Sequence, residues 1–111
     1  MTFKKLIAAL SVAAALTLAA VSAHASDSPD MTITDVRFGR DGGLFINAGS
    51  NGWYWGSATA DGALCPLTTV DTRKAWLSIA QASILSGKKL HVVYDTCSSG
   101  NRGIREMWLL N

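Results

Sequence analysis

An almost unbroken apolar run over residues 6–21 lies behind Lys4 and Lys5 and ahead of Ser22-Ala23-His24-Ala25, and it decides how much of this chain is left to fold. A positive start, a short apolar stretch and an A-x-A pattern before Ser26 describe a cleavable export signal over residues 1–25. The alternative is a membrane anchor, but roughly 16 apolar residues, many of them alanine, fall short of the ~20 that cross a hydrocarbon core. No cysteine follows the run to carry a lipid. The pattern is of bacterial type, and the expected destination is the periplasm or the medium, with no stable membrane insertion after cleavage.

Removing 25 of 111 residues leaves 86, enough for one hydrophobic core but marginal without a covalent staple. Export also sets the redox environment. Cys65 and Cys97 are the two cysteines of the chain, and in an oxidising compartment they are expected to form one intramolecular disulfide. Closing a loop of roughly 30 residues is worth on the order of 3–4 kcal/mol through the entropy of the unfolded chain. Their separation is far from C-x-x-C, which argues against a redox-active pair.

The charge balance excludes one function class. The ten basic residues include Lys4 and Lys5, so eight remain after residue 25, against eight acidic residues. A neutral body lacks the clustered positive charge that displaces counterions from a nucleic acid, and no nucleic-acid partner is expected. Arg37 and Arg40, with Arg102 and Arg105, read as a solvated rim, and 100–103 is a flexible turn without P-loop spacing or lysine.

Residues 26–30 are polar, contain Pro29 and read as a flexible leader to a single domain over 31–111. Three short alternating segments follow, at 31–38, 44–48 and 53–60, separated by glycine-rich turns. Asn51-Gly52 is a hairpin signal, since both residues tolerate left-handed backbone. The period then changes to helical over 72–86. Trp76, Ile79, Ala80 and Ile84, with Leu77 at the margin, fall on one face, and Lys74, Ser78, Gln81 and Leu85 on the other. Asp71 or Thr72 is placed to cap the start, and Gly87 to stop the end. Strands at 90–95 and 104–110 complete the order β-β-β-α-β-β. That order belongs to a mainly β (α+β) fold, the OB-like five-stranded barrel with a helix between its third and fourth strands. The alternative is an open α+β sheet with the helix on one face.

Catalytic and metal chemistry find little support. His91 is the one histidine after residue 25, so a histidine-rich zinc site is absent, and no G-x-S-x-G elbow occurs. Strand alternation sends His91 to solvent or a rim. Several aspartates sit where turns and caps want them. No cofactor and no metal are expected. The aromatic residues carry more information. Alternation places Trp53 and Trp55 on one face and Tyr54 on the other. The pair of tryptophans is either core or a platform for a flat ligand such as a sugar ring, with Asn47, Asn51 and Asp61 supplying polar contacts.

The segments Lys74-Ala75-Trp76-Leu77, Ile79-Ala80-Gln81-Ala82, Ser86-Gly87-Lys88-Lys89 and Leu90-His91-Val92-Val93-Tyr94 resemble the helix, glycine stop and next strand of small secreted OB-fold proteins. The families named by that resemblance are the B subunits of subtilase-type and typhoid-type bacterial cytotoxins. It covers about half of the chain after residue 25 and implies a disulfide-bonded OB-fold, ring assembly and glycan recognition. No sugar-contacting residue is carried over from it. The combined expectation is an exported, non-enzymatic binding module, oligomeric in the manner of a toxin B subunit, with a glycan or an envelope or host protein as partner. An interaction or inhibitor domain docking through a strand edge, and a small hydrolase using aspartates and His91, are the alternatives.

Overall fold

Hydrophobic alternation and glycine turns produce the five expected strands, two of them shortened to 35–38 from 31–38 and to 53–56 from 53–60, together with one that the sequence does not place. The computed structural model describes residues 25–111; the expected export signal at 1–25 lies, but for Ala25, outside the described residues. The elements are β1 (Ser26–Asp27), β2 (Asp35–Phe38), β3 (Leu44–Asn47), a 3-10 turn (Gly49–Asn51), β4 (Trp53–Gly56), α1 (Val70–Ser86), β5 (Leu90–Thr96) and β6 (Arg102–Leu109). The fold is mainly β with one helix. Its strands form a single six-stranded mixed sheet in the order β1-β5-β6-β4-β3-β2. Neighbours are antiparallel except β4 and β6, which run parallel at Trp55↔Gly103.

The mixed sheet has six strands where five were expected from sequence, and the added strand comes from the leader. Ser26 pairs with Tyr94 and Asp27 with Val93. Ser28 donates its N–H to the Val92 carbonyl at 2.8 Å, and its hydroxyl accepts from the Val92 N–H at 2.9 Å. Met31 and Leu90 exchange both main-chain bonds at 2.8 Å. The polar composition of 26–30 conceals a backbone need: β5 has an edge whose amides and carbonyls this segment satisfies. It also seats Met31 in the core at 1% exposure.

The inward faces of the strands present Leu44, Ile46, Tyr54, Leu90, Val92, Ile104 and Met107 to one another. Trp76 and Ala80 of α1 close the cluster, and Gly56 allows their approach, since a Cβ there would stand 3.3 Å from the Trp76 ring. Tyr54 is buried, and its hydroxyl accepts from Arg102 Nη1 at 2.9 Å. Burial pushes the Tyr54 pKa up, and the Arg102 charge offsets part of that rise. The same guanidinium lies 4.0 Å from the Tyr54 ring centre, a cation over an aromatic face.

Local chemistry at the turns departs from expectation in three places. The β3–β4 connection is no two-residue Asn-Gly turn: a 3-10 turn spans Gly49–Asn51, Gly52 rather than Asn51 takes positive φ (80°), and Ala48 donates to the Gly52 carbonyl. The helix is capped by Thr69, whose side chain accepts from the Thr72 N–H at 3.2 Å, rather than by Asp71 or Thr72. Asp71 sits in the first turn, where a carboxylate complements the dipole. Gly87 does close the helix in the left-handed region, donating to the Ser83 carbonyl at 2.9 Å.

The third departure is the buried helix face, which consists of Arg73, Trp76, Ala80 and Ser83. Ile84, expected inside, is exposed, as is Leu85. Arg73 is 6% exposed. Its Nε donates to the Gly42 carbonyl at 2.6 Å, and its Nη1 donates to the Ser57 carbonyl at 3.1 Å, to the Thr68 carbonyl and to Thr68 Oγ1. No carboxylate pairs with it among the described residues. One guanidinium thus ties the β2–β3 turn and both ends of the long 57–69 connection to the helix.

Candidate ligand surface

Cross-strand register builds the outward surface of the meander. Asp35, Asn47 and Trp53 stand opposite one another on β2, β3 and β4, and Arg37, Phe45 and Trp55 form the next row. Tyr54 points inward, so Trp53 and Trp55 share the outer face as alternation predicts. Trp53 is 40% exposed and Phe45 36%. Phe45 and Trp55 stack with centroids 6.3 Å apart and planes 19° from parallel. Arg37 lies over the Trp53 ring at 5.2 Å and pairs with Asp35 at 3.1 Å. The result is an aromatic strip bordered by one cation and one carboxylate.

Of the polar residues expected beside the tryptophans, Asn47 is in place, between Asp35 and Trp53. Its Oδ1 accepts from the Gly49 N–H at 3.0 Å, and its amide nitrogen donates to no side chain or carbonyl among the described residues. Asn51 lies in the 3-10 turn ahead of Trp53, outside these rows, and its main-chain carbonyl accepts from Arg102 Nη2. Asp61 is elsewhere. Its carboxylate accepts from the Ser99 N–H at 3.2 Å and from the Ser99 hydroxyl, fastening the turn at 61–65 to the one at 97–101.

His91 sits at the opposite end of the sheet. Its Nε2 meets Asp27 at 2.9 Å, its Nδ1 meets Asp30 at 3.2 Å, and its ring stacks on Trp108 at 4.5 Å. The hydrogen bond to Asp27 raises the His91 pKa first, with Asp30 adding and partial burial opposing. With both ring nitrogens engaged by carboxylates, neither is free to take a proton from a nucleophile. No cluster of three or more metal-binding side chains occurs among the described residues. None of their helices is long and apolar enough to cross a membrane.

Sequence reasoning missed a second concavity. Cys65 and Cys97 are bridged with Cα atoms 5.4 Å apart, and the bridge lies flat on Gly103, where a Cβ would meet the sulfurs at 2.7 and 2.8 Å. It draws the 57–69 connection across the outer face of β6. Between that connection, the helix start and the sheet opens a cleft of about 450 Å³, lined by Trp55, Thr68, Thr72, Trp76, Asp95 and Arg105 among others. Asp95 is 5% exposed. Its Oδ2 lies 3.6 Å from Arg105 Nη1, and its Oδ1 has no hydrogen-bond partner. The signal was present: Asp95 falls on an outward strand position two residues before a bridged cysteine. Trp55 borders both the cleft and the aromatic strip. Compared with known proteins, the chain matches no family model and no curated protein.

Proposed function

We propose that this protein is an exported, non-enzymatic binding module that recognises a glycan on the outer face of the meander. The observation that carries the reading is the outward strip of exposed Trp53 and Phe45 with half-buried Trp55, beside Asn47. Flat apolar rings offer a surface for the C–H face of a pyranose, and the Asn47 amide nitrogen and Arg37 supply directional donors at its edge. Binding needs no covalent step.

The finer fold reading is an OB-like barrel. It is supported by the two outermost strands, β1 and β2, being consecutive in the chain, with Ser28 and Met31 bonded to β5 and Thr34 donating to the Asn47 carbonyl of β3. One bent first strand serving both neighbours is how an OB barrel closes. The disulfide fits an oxidising compartment, in keeping with the export pattern at the N-terminus. Ring assembly belongs to the same proposal, as does kinship with toxin B subunits.

Glycan-array binding of the purified oxidised protein, repeated with Trp53→Ala and Phe45→Ala, tests the function. Retained folding with lost binding supports it; a blank array, or binding indifferent to both substitutions, overturns it. Light scattering on the same sample tests the assembly, a ring supporting it and a monomer removing it.

A further inference from the structure

The cleft beside the disulfide holds an acidic side chain that is short of donors. Asp95 is buried on the outward face of β5, yet no N–H or O–H within the described residues reaches its Oδ1. Arg105, half exposed, stands 3.6 Å from Oδ2, beyond a full hydrogen bond, and a swing of about 1 Å of this side chain opens the about 4.5 Å that one bridging oxygen spans. A buried carboxylate in that condition carries an uncompensated desolvation cost, which a ligand donor relieves.

The surroundings select the ligand. Arg105 already balances the Asp95 charge, so an ammonium group would bring a second cation against the guanidinium, whereas a hydroxyl adds no charge. A hydroxyl between the two groups accepts from Arg105 and donates to Asp95. The terminal torsion of an aspartate is broad, so a turn of the carboxylate presents either oxygen. The rest of the wall is apolar or hydroxylated: Trp55, Trp76, Thr68 and Thr72. A volume of about 450 Å³ is of the size that takes one small ring.

We infer that the cleft is a subsite for one neutral polyhydroxylated ring, a pyranose unit, whose hydroxyls bridge Arg105 and Asp95 while Trp55 forms its wall. This deepens the glycan reading and rests on it: the indole of Trp55 joins the subsite to the outer strip, so one oligosaccharide spans both.

The test is titration of the oxidised protein with a panel of neutral methyl pyranosides at millimolar concentration, followed by the Trp indole N–H and Arg Nε–H signals in NMR spectra. The expected result is a saturable shift of Trp55 and Arg105 for at least one sugar. Affinity falls about tenfold or more in Asp95→Asn, the loss of one charge-assisted hydrogen bond. Arg105→Gln, on a half-exposed side chain, produces a similar loss and keeps the inference testable should Asp95→Asn unfold. Trp53→Ala, in the outer strip, weakens binding of an oligosaccharide that spans both surfaces. Sugar binding that is lost in Trp53→Ala but intact in both cleft variants overturns this inference and leaves the outer-strip reading standing. A panel and an array without any binding overturn both.

Discussion

Replacing Arg73 by methionine keeps most of the side-chain volume and removes every donor, which isolates what the buried guanidinium does. The main-chain carbonyls of Gly42 and Thr68 lose their partner, while that of Ser57 loses one donor and keeps the Thr68 N–H and hydroxyl. Each buried acceptor left without a donor costs about 1–3 kcal/mol, partly offset because the methionine no longer desolvates a charge. With two such acceptors the expected net loss is about 2–4 kcal/mol, a large part of the ~5–15 kcal/mol that holds a domain of this size. Arg73→Lys keeps the charge but reaches fewer carbonyls, and about 1–3 kcal/mol is expected there. Urea unfolding followed by tryptophan fluorescence measures both, since Trp76 lies on the same helical face. Because the guanidinium ties 42, 57 and 68 together, amide exchange across 57–69 should also quicken in Arg73→Met before global unfolding. A midpoint for Arg73→Met within about 1 kcal/mol of wild type refutes the reasoning, because it would mean the carbonyls find water at no cost.

Three other outcomes are expected. The folded-state pKa of His91 lies above its ordinary value, so its pairing with Asp27 and Asp30 stabilises the fold fully below about pH 6.5 and loses that contribution as pH rises through the raised pKa. Urea midpoints at pH 6 and pH 9 should differ in wild type, and the difference should shrink in His91→Gln; an undiminished difference would remove the clamp. Gly103→Ala places a methyl group against the disulfide and should cost about 1–3 kcal/mol by chemical denaturation, an unchanged midpoint counting against the close approach. Reduction opens a closure of 32 residues and should lower stability by ~4 kcal/mol, with the native mass unchanged; a reduction-sensitive dimer would contradict the intramolecular bridge.

Features written in local pattern are legible in the amino-acid sequence. Alternation separates Tyr54 from Trp53 and Trp55, a glycine marks the helix end, and a count of two cysteines behind an expected export signal pairs Cys65 with Cys97. Features created by distant contacts are not. Arg73 lies three residues before Trp76 and so on the same helical face, but a cation there reads as solvent-facing unless the carbonyls that receive it are known. Asp95 occupies an outward strand position and is buried only because the bridged 57–69 connection lies over it. Ile84 shows the converse: it follows the apolar period, yet the buried face runs through Arg73, Trp76, Ala80 and Ser83 and leaves Ile84 exposed. The leader strand is hidden because its ties to β5 are main-chain bonds and polar side-chain contacts to Val92 and His91 that leave no hydrophobic alternation, and Pro29 with the polar residues around it argues for a loop.

That leader strand sets an order of events for folding. Its partner β5 lies far along the chain, with Asp27 and His91 separated by 64 positions, whereas the β2–β3–β4 meander and the β5–β6 hairpin each close over short connections. Loop-closure entropy favours the local pairs first, so the oldest part of a nascent chain is the last to find its place. Until the 90–96 segment exists and has turned back on 102–109, residues 26–31 have no β5 edge to join. Before that point the chain carries the β2–β3–β4 meander with an open sheet, and docking of the leader on β5 is the step that covers its outermost edge.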